Sequence, residues 1–445
     1  QTQEQAEQAL VLAEERLERH SAASVLSGHH SVFYSLDSAL AANPSNLAVI
    51  SIPGAHVRHE AMKCLQKGLH LFIFSDNVPI EDELAIKSRA QASGLLVMGP
   101  DCGTAIIQNI PFGFANSVRP GGIGIVGASG TGIQEISCLV DHLGGGISHC
   151  IGTGTNDISH EINGISMLRG IELLVSDPRT QVIVVVSKPP APEVKTEVIQ
   201  AMQACGKDTV MLLLGAEQPA PSNHLYYAST MEEAALTAVK LADITPSSFL
   251  EASQAWDAAR SCIGRLRDEQ KYARGVFMGG TFAIEACLIL AQTFGTVYTN
   301  TTAGKTLLDP FRSIAHTCVD MGSDLFTAGR PHPMLEPGIR NRRIIEELTD
   351  PETAVVLLDL VLGYGVHADP ATELVQALKE ARRPRHGRDV PVVASVCGTD
   401  KDPQERCRQV SILQDVGVLV FPSNRMASQA AAYICARGQT DMERR

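Results

Sequence analysis

The chain is 445 residues long, more than one hydrophobic core usually holds, so roughly two to four domains are expected; 44% hydrophobic and 19% charged residues mark an ordinary globular protein. A formal net charge of −12 with no basic run excludes nucleic acid and anionic membrane as partners, because phosphate backbones are held by clustered Lys and Arg, and leaves small-molecule substrates and protein subunits. No apolar run approaches the roughly 18–20 residues of a membrane span, and the eleven cysteines form no C-x-x-C pair, so no metal site or disulfide framework is expected and a cytoplasmic location fits.

The chain starts at Gln1 without a signal segment and reads as beginning inside a longer protein. A helix is expected near residues 5–19. Buried-strand runs follow at 47–52, 71–74 and 95–98, with helical patterning over 57–67 and 80–93 between them. That β-α-β-α-β alternation demands a parallel sheet with right-handed crossovers, a Rossmann-like domain.

The turn Arg119-Pro120-Gly121-Gly122 opens a second region: a strand at 123–126, a loop over 127–132, a helix opening at Ile133, and strands at 182–186 and 210–214. The polar stretch 245–270 reads as a helical linker. A third region, from about Arg274, repeats the second in outline. Gly279-Gly280-Thr281 with Glu285 mirrors Ser129-Gly130-Thr131 with Glu135, and Asp350-Pro351-Glu352-Thr353 before a strand mirrors Asp177-Pro178-Arg179-Thr180. Two homologous flavodoxin-like domains are the simplest account, the second enlarged by an insertion within 296–330. A chance match of short apolar strands is the alternative. The expected class is therefore α/β, with domains at 1–118 (N-terminally incomplete), 119–244 and 273–445 and a linker at 245–272.

Doubly wound sheets bring strand ends and helix N-termini to a common crevice, where unpaired N–H groups receive anions. Ser129-Gly130-Thr131-Gly132 and Gly279-Gly280-Thr281 are strand-to-helix turns suited to phosphate, and equally to plain helix capping. Lys188, after a strand, can neutralise an anion or lie on the surface; Asp359 also sits at a strand end. In Arg330-Pro331-His332-Pro333, His332 is a candidate general base or nucleophile with Arg330 beside it, or a loop-packing residue. Two nucleotide motifs are refused. Gly122, Gly124 and Gly127 straddle a strand instead of following it, and Gly304-Lys305-Thr306 lacks the upstream glycine of a P-loop.

Four segments, Gly99-Pro100-Asp101-Cys102-Gly103-Thr104, the run from Gly124 to Glu135, Val186-Ser187-Lys188-Pro189-Pro190, and Gly329-Arg330-Pro331-His332-Pro333-Met334, resemble the FdrA family, and the likeness runs from about Asn46 to Gly438. FdrA proteins resemble succinyl-CoA synthetases. The resemblance implies a CoA-binding-type Rossmann-like domain, a ligase domain like that of the α subunit, and a domain like the C-terminal part of the β subunit. It implies an enzyme subunit that handles phosphate and an acyl or carbamoyl group. The family's glycine-rich CoA loop has no counterpart before Asn46, and residues 215–219 lack the phosphorylated His, so tight CoA binding is not expected. Carbamoyl transfer between an oxalurate-like ureido acid and phosphate, as in allantoin catabolism, suits what remains. Phosphate or carbamoyl phosphate would be a substrate, and partner subunits or a homo-oligomer are expected. An ADP-forming acyl-CoA synthetase and a non-catalytic metabolite-binding protein stay open. The two glycine turns are expected to face one crevice, with Arg330 and His332 near its rim.

Overall fold

A computed structural model describes residues 32–216, 222, 224–382 and 390–439. The chain divides into one unit ending at Asn46 and a second from Leu47 to Arg445. In the first unit, helix α1 (Leu36–Ala42) starts at Ser35, whose side chain accepts the Ser38 N–H. The helix expected at 5–19 lies outside the described residues.

In the second unit, β1 (Leu47–Ile50), α2 (Gly54–Gln66), β2 (His70–Ile73), α3 (Ile80–Ala92) and β3 (Val97–Met98) form the expected β-α-β-α-β run, a parallel sheet ordered β1-β2-β3. Helix α2 buries Val57, Ala61, Cys64 and Leu65, one helical stripe, against it. The hairpin β4 (Thr104–Ile107) and β5 (Ile110–Gly113), turned by Gln108 and Asn109 in left-handed conformation, does not extend this sheet. It pairs antiparallel with His149 and Cys150 of the next sheet and carries Thr104 there.

That second sheet comprises β6 (Pro120–Gly127), β7 (Ile147–Gly152), β8 (Val182–Ser187), β9 (Asp208–Leu213) and β10 (Leu225–Tyr227). Between them run α4 (Gly130–His142), α5 (Ile165–Ser176) and α6 (Pro192–Ala204), and α7 (Met231–Leu241) follows. Every residue of β8 is buried, as a central parallel strand covered on both faces requires. Helix α8 (Ser253–Ile263) falls in the expected linker. Its Trp256 meets Phe421 and Tyr433 edge-on at 5.2 and 6.0 Å, so it packs onto the third layer.

The third sheet holds β11 (Tyr272–Phe277), β12 (Tyr298–Thr299), β13 (Lys305–Thr306), β14 (Thr317–Asp320), β15 (Thr353–Val361), β16 (Val392–Cys397) and β17 (Leu419–Phe421). Its helices are α9 (Gly280–Phe294), α10 (Asp324–Thr327), α11 (Gly338–Thr349), α12 (Pro370–Ala381), α13 (Arg406–Gln414) and α14 (Asn424–Cys435). The orders β7-β6-β8-β9-β10 and β14-β11-β15-β16-β17 are both 2-1-3-4-5, the flavodoxin-like order. The extra strands β12 and β13 lie between α9 and β14, within the range where an insertion was expected.

The two repeats interlock reciprocally. Glu135 on α4 accepts the N–H of Asn424 at the start of α14, 3.1 Å away, and Glu285 on α9 accepts that of Met231 at the start of α7, 2.7 Å away. Asn424 also donates its side-chain amide to Glu285 at 2.8 Å. Each repeat's last helix is thus anchored on the first helix of the other.

Candidate active site

Helix α4 begins at Gly130, three residues before the expected Ile133. The Ser129 side chain accepts the Gly132 N–H at 3.1 Å, so the glycine-rich loop is the helix's own first turn. Helix α9 starts likewise at Gly280. The two starts meet. Ser129 Oγ and Thr281 Oγ1 lie 2.5 Å apart, and a Cβ on Gly279 would stand 2.7 Å from Thr131 Cγ2, so only glycine admits the Thr131 side chain there. Two positive helix ends therefore converge on one crevice.

The crevice has a volume of about 330 Å³. Ser129, Gly130, Thr131, Gly279, Gly280, Thr281, Lys188 and His332 all line it. Gly132 does not: a Cβ there would fall 2.4 Å from Ser129 Oγ, so its place is taken by the cap. Arg330 is exposed and outside the lining, because the turn closed by its N–H on the Thr327 carbonyl faces solvent. Asp359 is fully buried below the floor, where its two carboxylate oxygens accept the N–H groups of Met278 and Gly279 at 2.8 and 2.9 Å and Arg340 lies 3.6 Å away.

Several lining residues escaped the sequence reading. Asp320, at the end of β14, accepts the Gly322 N–H at 2.9 Å; burial pushes its carboxyl up to about 6, Lys188 opposing and Asp359 and Asp324 assisting. Asp101, left-handed at φ 57° and hydrogen-bonded by Thr155 at 3.0 Å, is also pushed up to about 6, chiefly by burial. Thr104 is 1% exposed and its hydroxyl has no hydrogen-bond partner. Signals existed for all three: Asp320 closes an apolar strand, and Asp101 and Thr104 belong to a glycine-rich run.

His332 accepts the Met334 N–H on Nδ1 at 3.2 Å, and burial lowers its pKa to about 4. The ring is neutral at pH 7 with its proton on Nε2, which faces Gly322. In that form His332 is a hydrogen-bond donor; the nitrogen a base or nucleophile would need is engaged.

At α4 the crevice presents open backbone donors. Helix geometry leaves the Gly130 and Thr131 N–H groups without acceptors, and a Cβ on Gly130 would meet only Thr104 Oγ1, at 3.5 Å, so the backbone there stays approachable. The start of α2 offers nothing comparable. A Cβ on Gly54 would strike the Asn77 carbonyl at 2.3 Å, so that glycine packs protein backbone. Among the described residues no helix is long and apolar enough to cross a membrane, and no three His, Cys, Asp or Glu gather as a metal site would require.

Comparison with known proteins bears on the same residues. A family model described as a CoA binding domain matches residues 118–215 and one described as CoA-ligase matches 276–434. The first falls on the second sheet, whereas the sequence reading set its CoA-binding-type domain before residue 118. The chain is 43% identical over 400 residues to "Uncharacterized protein YahF" of Escherichia coli K12, covering 89% of this chain and 78% of YahF. The chain belongs to the FdrA family. It is an acyl-CoA ligase-like member of the succinyl-CoA synthetase superfamily. The alpha subunit 2 of an ADP-forming succinate–CoA ligase from Archaeoglobus fulgidus is 26% identical over 164 residues, covering 35% of this chain and 55% of that one. The dinucleotide-forming acetyl-coenzyme A synthetase 1 of Ca. Korarchaeum cryptofilum, solved with phosphate and ADP, matches with a TM-score of 0.36 at 17% identity, over 93% of this chain and 87% of that one.

Proposed function

We propose that this FdrA-family chain is an enzyme subunit that moves a carbamoyl or acyl group to or from phosphate in the crevice between α4 and α9. The observation that carries the reading is the convergence of the two helix starts, sealed by the Ser129–Thr281 contact, with Lys188 lining the same crevice. Preorganised N–H dipoles and one ammonium stabilise charge as it develops on phosphate and carbonyl oxygens.

The preferred reaction, on the family resemblance, takes an oxalurate-like ureido acid. A phosphate oxygen attacks the ureido carbonyl, the bond from that carbon to the inner nitrogen breaks, and the departing amide nitrogen takes up the proton released by phosphate, giving carbamoyl phosphate and oxamate. The Gly130 and Thr131 N–H groups and Lys188 hold the phosphate, Nε2–H of His332 donates to an oxygen, and Asp320 carries the proton between them. The test is phosphorus NMR of the chain, alone and with its partner subunits, given oxalurate and phosphate. A new carbamoyl phosphate signal is expected, and its absence in the complete complex overturns the reaction.

A second reading, acyl-CoA ligase chemistry, draws on the CoA binding family model over residues 118–215. Calorimetry with CoA separates the two: micromolar affinity favours the ligase, and weak or no binding favours transfer to phosphate.

A further inference from the structure

The two helix starts that meet in the crevice come from equivalent places in the repeats, yet their electrostatic surroundings differ. At α9, Asp359 already occupies the Met278 and Gly279 N–H groups that lead into the helix, and Asp320 Oδ2 lies 2.7 Å from where a Gly280 Cβ would stand. Two buried carboxylates thus offset the partial positive charge of that helix end. The residue of β8 equivalent to Asp359 is Val186, read from the registers Gly127 to Val186 and Val276 to Leu358, and it offers no charge. At α4 the first-turn N–H groups remain open, and Lys188 and Asp101 line the same crevice, one oxygen of Asp101 engaged by Thr155.

A second observation points to a ligand at the same end. Thr104, 1% exposed, lines the crevice with a hydroxyl that has no partner in the protein, and that hydroxyl faces Gly130. A buried hydroxyl left unpaired is unfavourable unless something arriving later completes it.

We infer that the two helix starts of the crevice seat a single tetrahedral anion, at the α4 end only, on the Gly130 and Thr131 N–H groups with the Thr104 hydroxyl as a further donor, and that the α9 end admits neither a second such anion nor the carboxylate of the co-substrate, whose ureido end faces Asp320. This rests on the proposed phosphate chemistry and narrows it: Thr104, delivered by a hairpin outside both repeats, is a binding residue, and whatever faces Asp320 is uncharged, cationic or a hydrogen-bond donor.

The experiment is calorimetric titration of the purified chain with inorganic phosphate and with sulfate at pH 7, using wild type, Thr104→Val and Asp320→Asn, with thermal melts of the ligand-free proteins. One anion per chain is expected. Thr104→Val should bind roughly tenfold more weakly, as loss of a hydrogen bond to a charged group entails, while melting no lower than wild type because an unpaired buried hydroxyl has been removed. Asp320→Asn should bind several-fold more tightly. Two anions per chain, or unchanged affinity in Thr104→Val, would overturn the one-sided seat and leave the phosphate reading standing. Absence of any anion binding by the wild type overturns both.

Discussion

Glu135→Gln is the sharpest probe of how the two repeats are held together. Glu135 is 3% exposed, and burial, against the Asn424 N–H and with the charge of Glu285, raises its carboxyl from 4.5 to about 8. A carboxyl whose folded pKa exceeds its unfolded one costs nothing below the unfolded value, and stability is lost as pH rises through the interval up to the folded value. The interval from 4.5 to about 8, at about 1.4 kcal/mol per pH unit, amounts to about 4–5 kcal/mol once the group is ionised. Glutamine keeps the oxygen that accepts the Asn424 N–H and never ionises. Its amide costs about 1–3 kcal/mol where it lacks a partner, but that cost is the same at every pH. Urea unfolding at pH 5 and at pH 8.5 removes it from the comparison: Glu135→Gln should gain about 4 kcal/mol relative to wild type between the two. A stability difference independent of pH would refute the assignment of Glu135 as a protonated interdomain anchor.

Further outcomes follow from the crevice. Lys188→Met should weaken phosphate binding by about 10–100-fold without lowering the melting temperature, and unchanged affinity would remove Lys188 from the seat. His332→Ala should lower turnover by about 100-fold or more, and because burial holds the wild-type ring neutral with a pKa of about 4, no rate limb near pH 6.5 should belong to it; a limb there that vanishes in the variant would show a titrating base instead. Sulfate, which keeps its charge across this range, should bind about tenfold more weakly at pH 7.5 than at pH 5, since Asp101 and Asp320 lose their protons near 6 and then repel it, with Lys188 attracting and Asp324 repelling throughout. Asp320→Asn should flatten that profile, and an equally steep profile in the variant would exclude Asp320 as its source.

Much of the fold was legible because periodicity and punctuation agree in this chain. The central strands β8 and β15 are almost wholly aliphatic and buried throughout, and helices such as α2 and α12 bury one apolar face, so local patterning and final position coincide there. The hairpin at 104–113 was missed for a physical reason: which sheet an edge strand joins is decided by a partner some forty residues away, and nothing in Thr-Ala-Ile-Ile names it. The start of α4 was read too late because Gly130 and Gly132 are poor helix formers, and the Ser129 cap together with tertiary packing overrides that propensity. Lys188 and the glycine turns were recognisable from their places at strand ends. Arg330 lies exposed and outside the lining, because proximity in sequence to His332 does not fix the direction of a side chain on a turn.

The internal repeat is most informative where its copies disagree. Equivalence in Gly-Thr-x-x-x-Glu builds the scaffold: glycine and threonine let the two helix starts touch, and the glutamates cross-anchor the terminal helices, so convergence of the turns is a property of both copies. Chemistry needs asymmetry, because a transfer reaction has a donor side and an acceptor side. The pair Val186 and Asp359 supplies it, one leaving its helix start open and the other filling the N–H groups beside it with a carboxylate that Arg340 pairs with at 3.6 Å. A Val186→Asp exchange would extend that reasoning to the α4 end. An added carboxylate beneath Ala128 and Ser129 should compete with the anion for the same dipole and weaken sulfate binding by at least tenfold. Calorimetry decides it, with a melt to confirm that the variant remains folded: a folded Val186→Asp protein that still binds sulfate at wild-type affinity would mean that the charge at this position does not set which helix end is open, and the asymmetry of the crevice would need another cause.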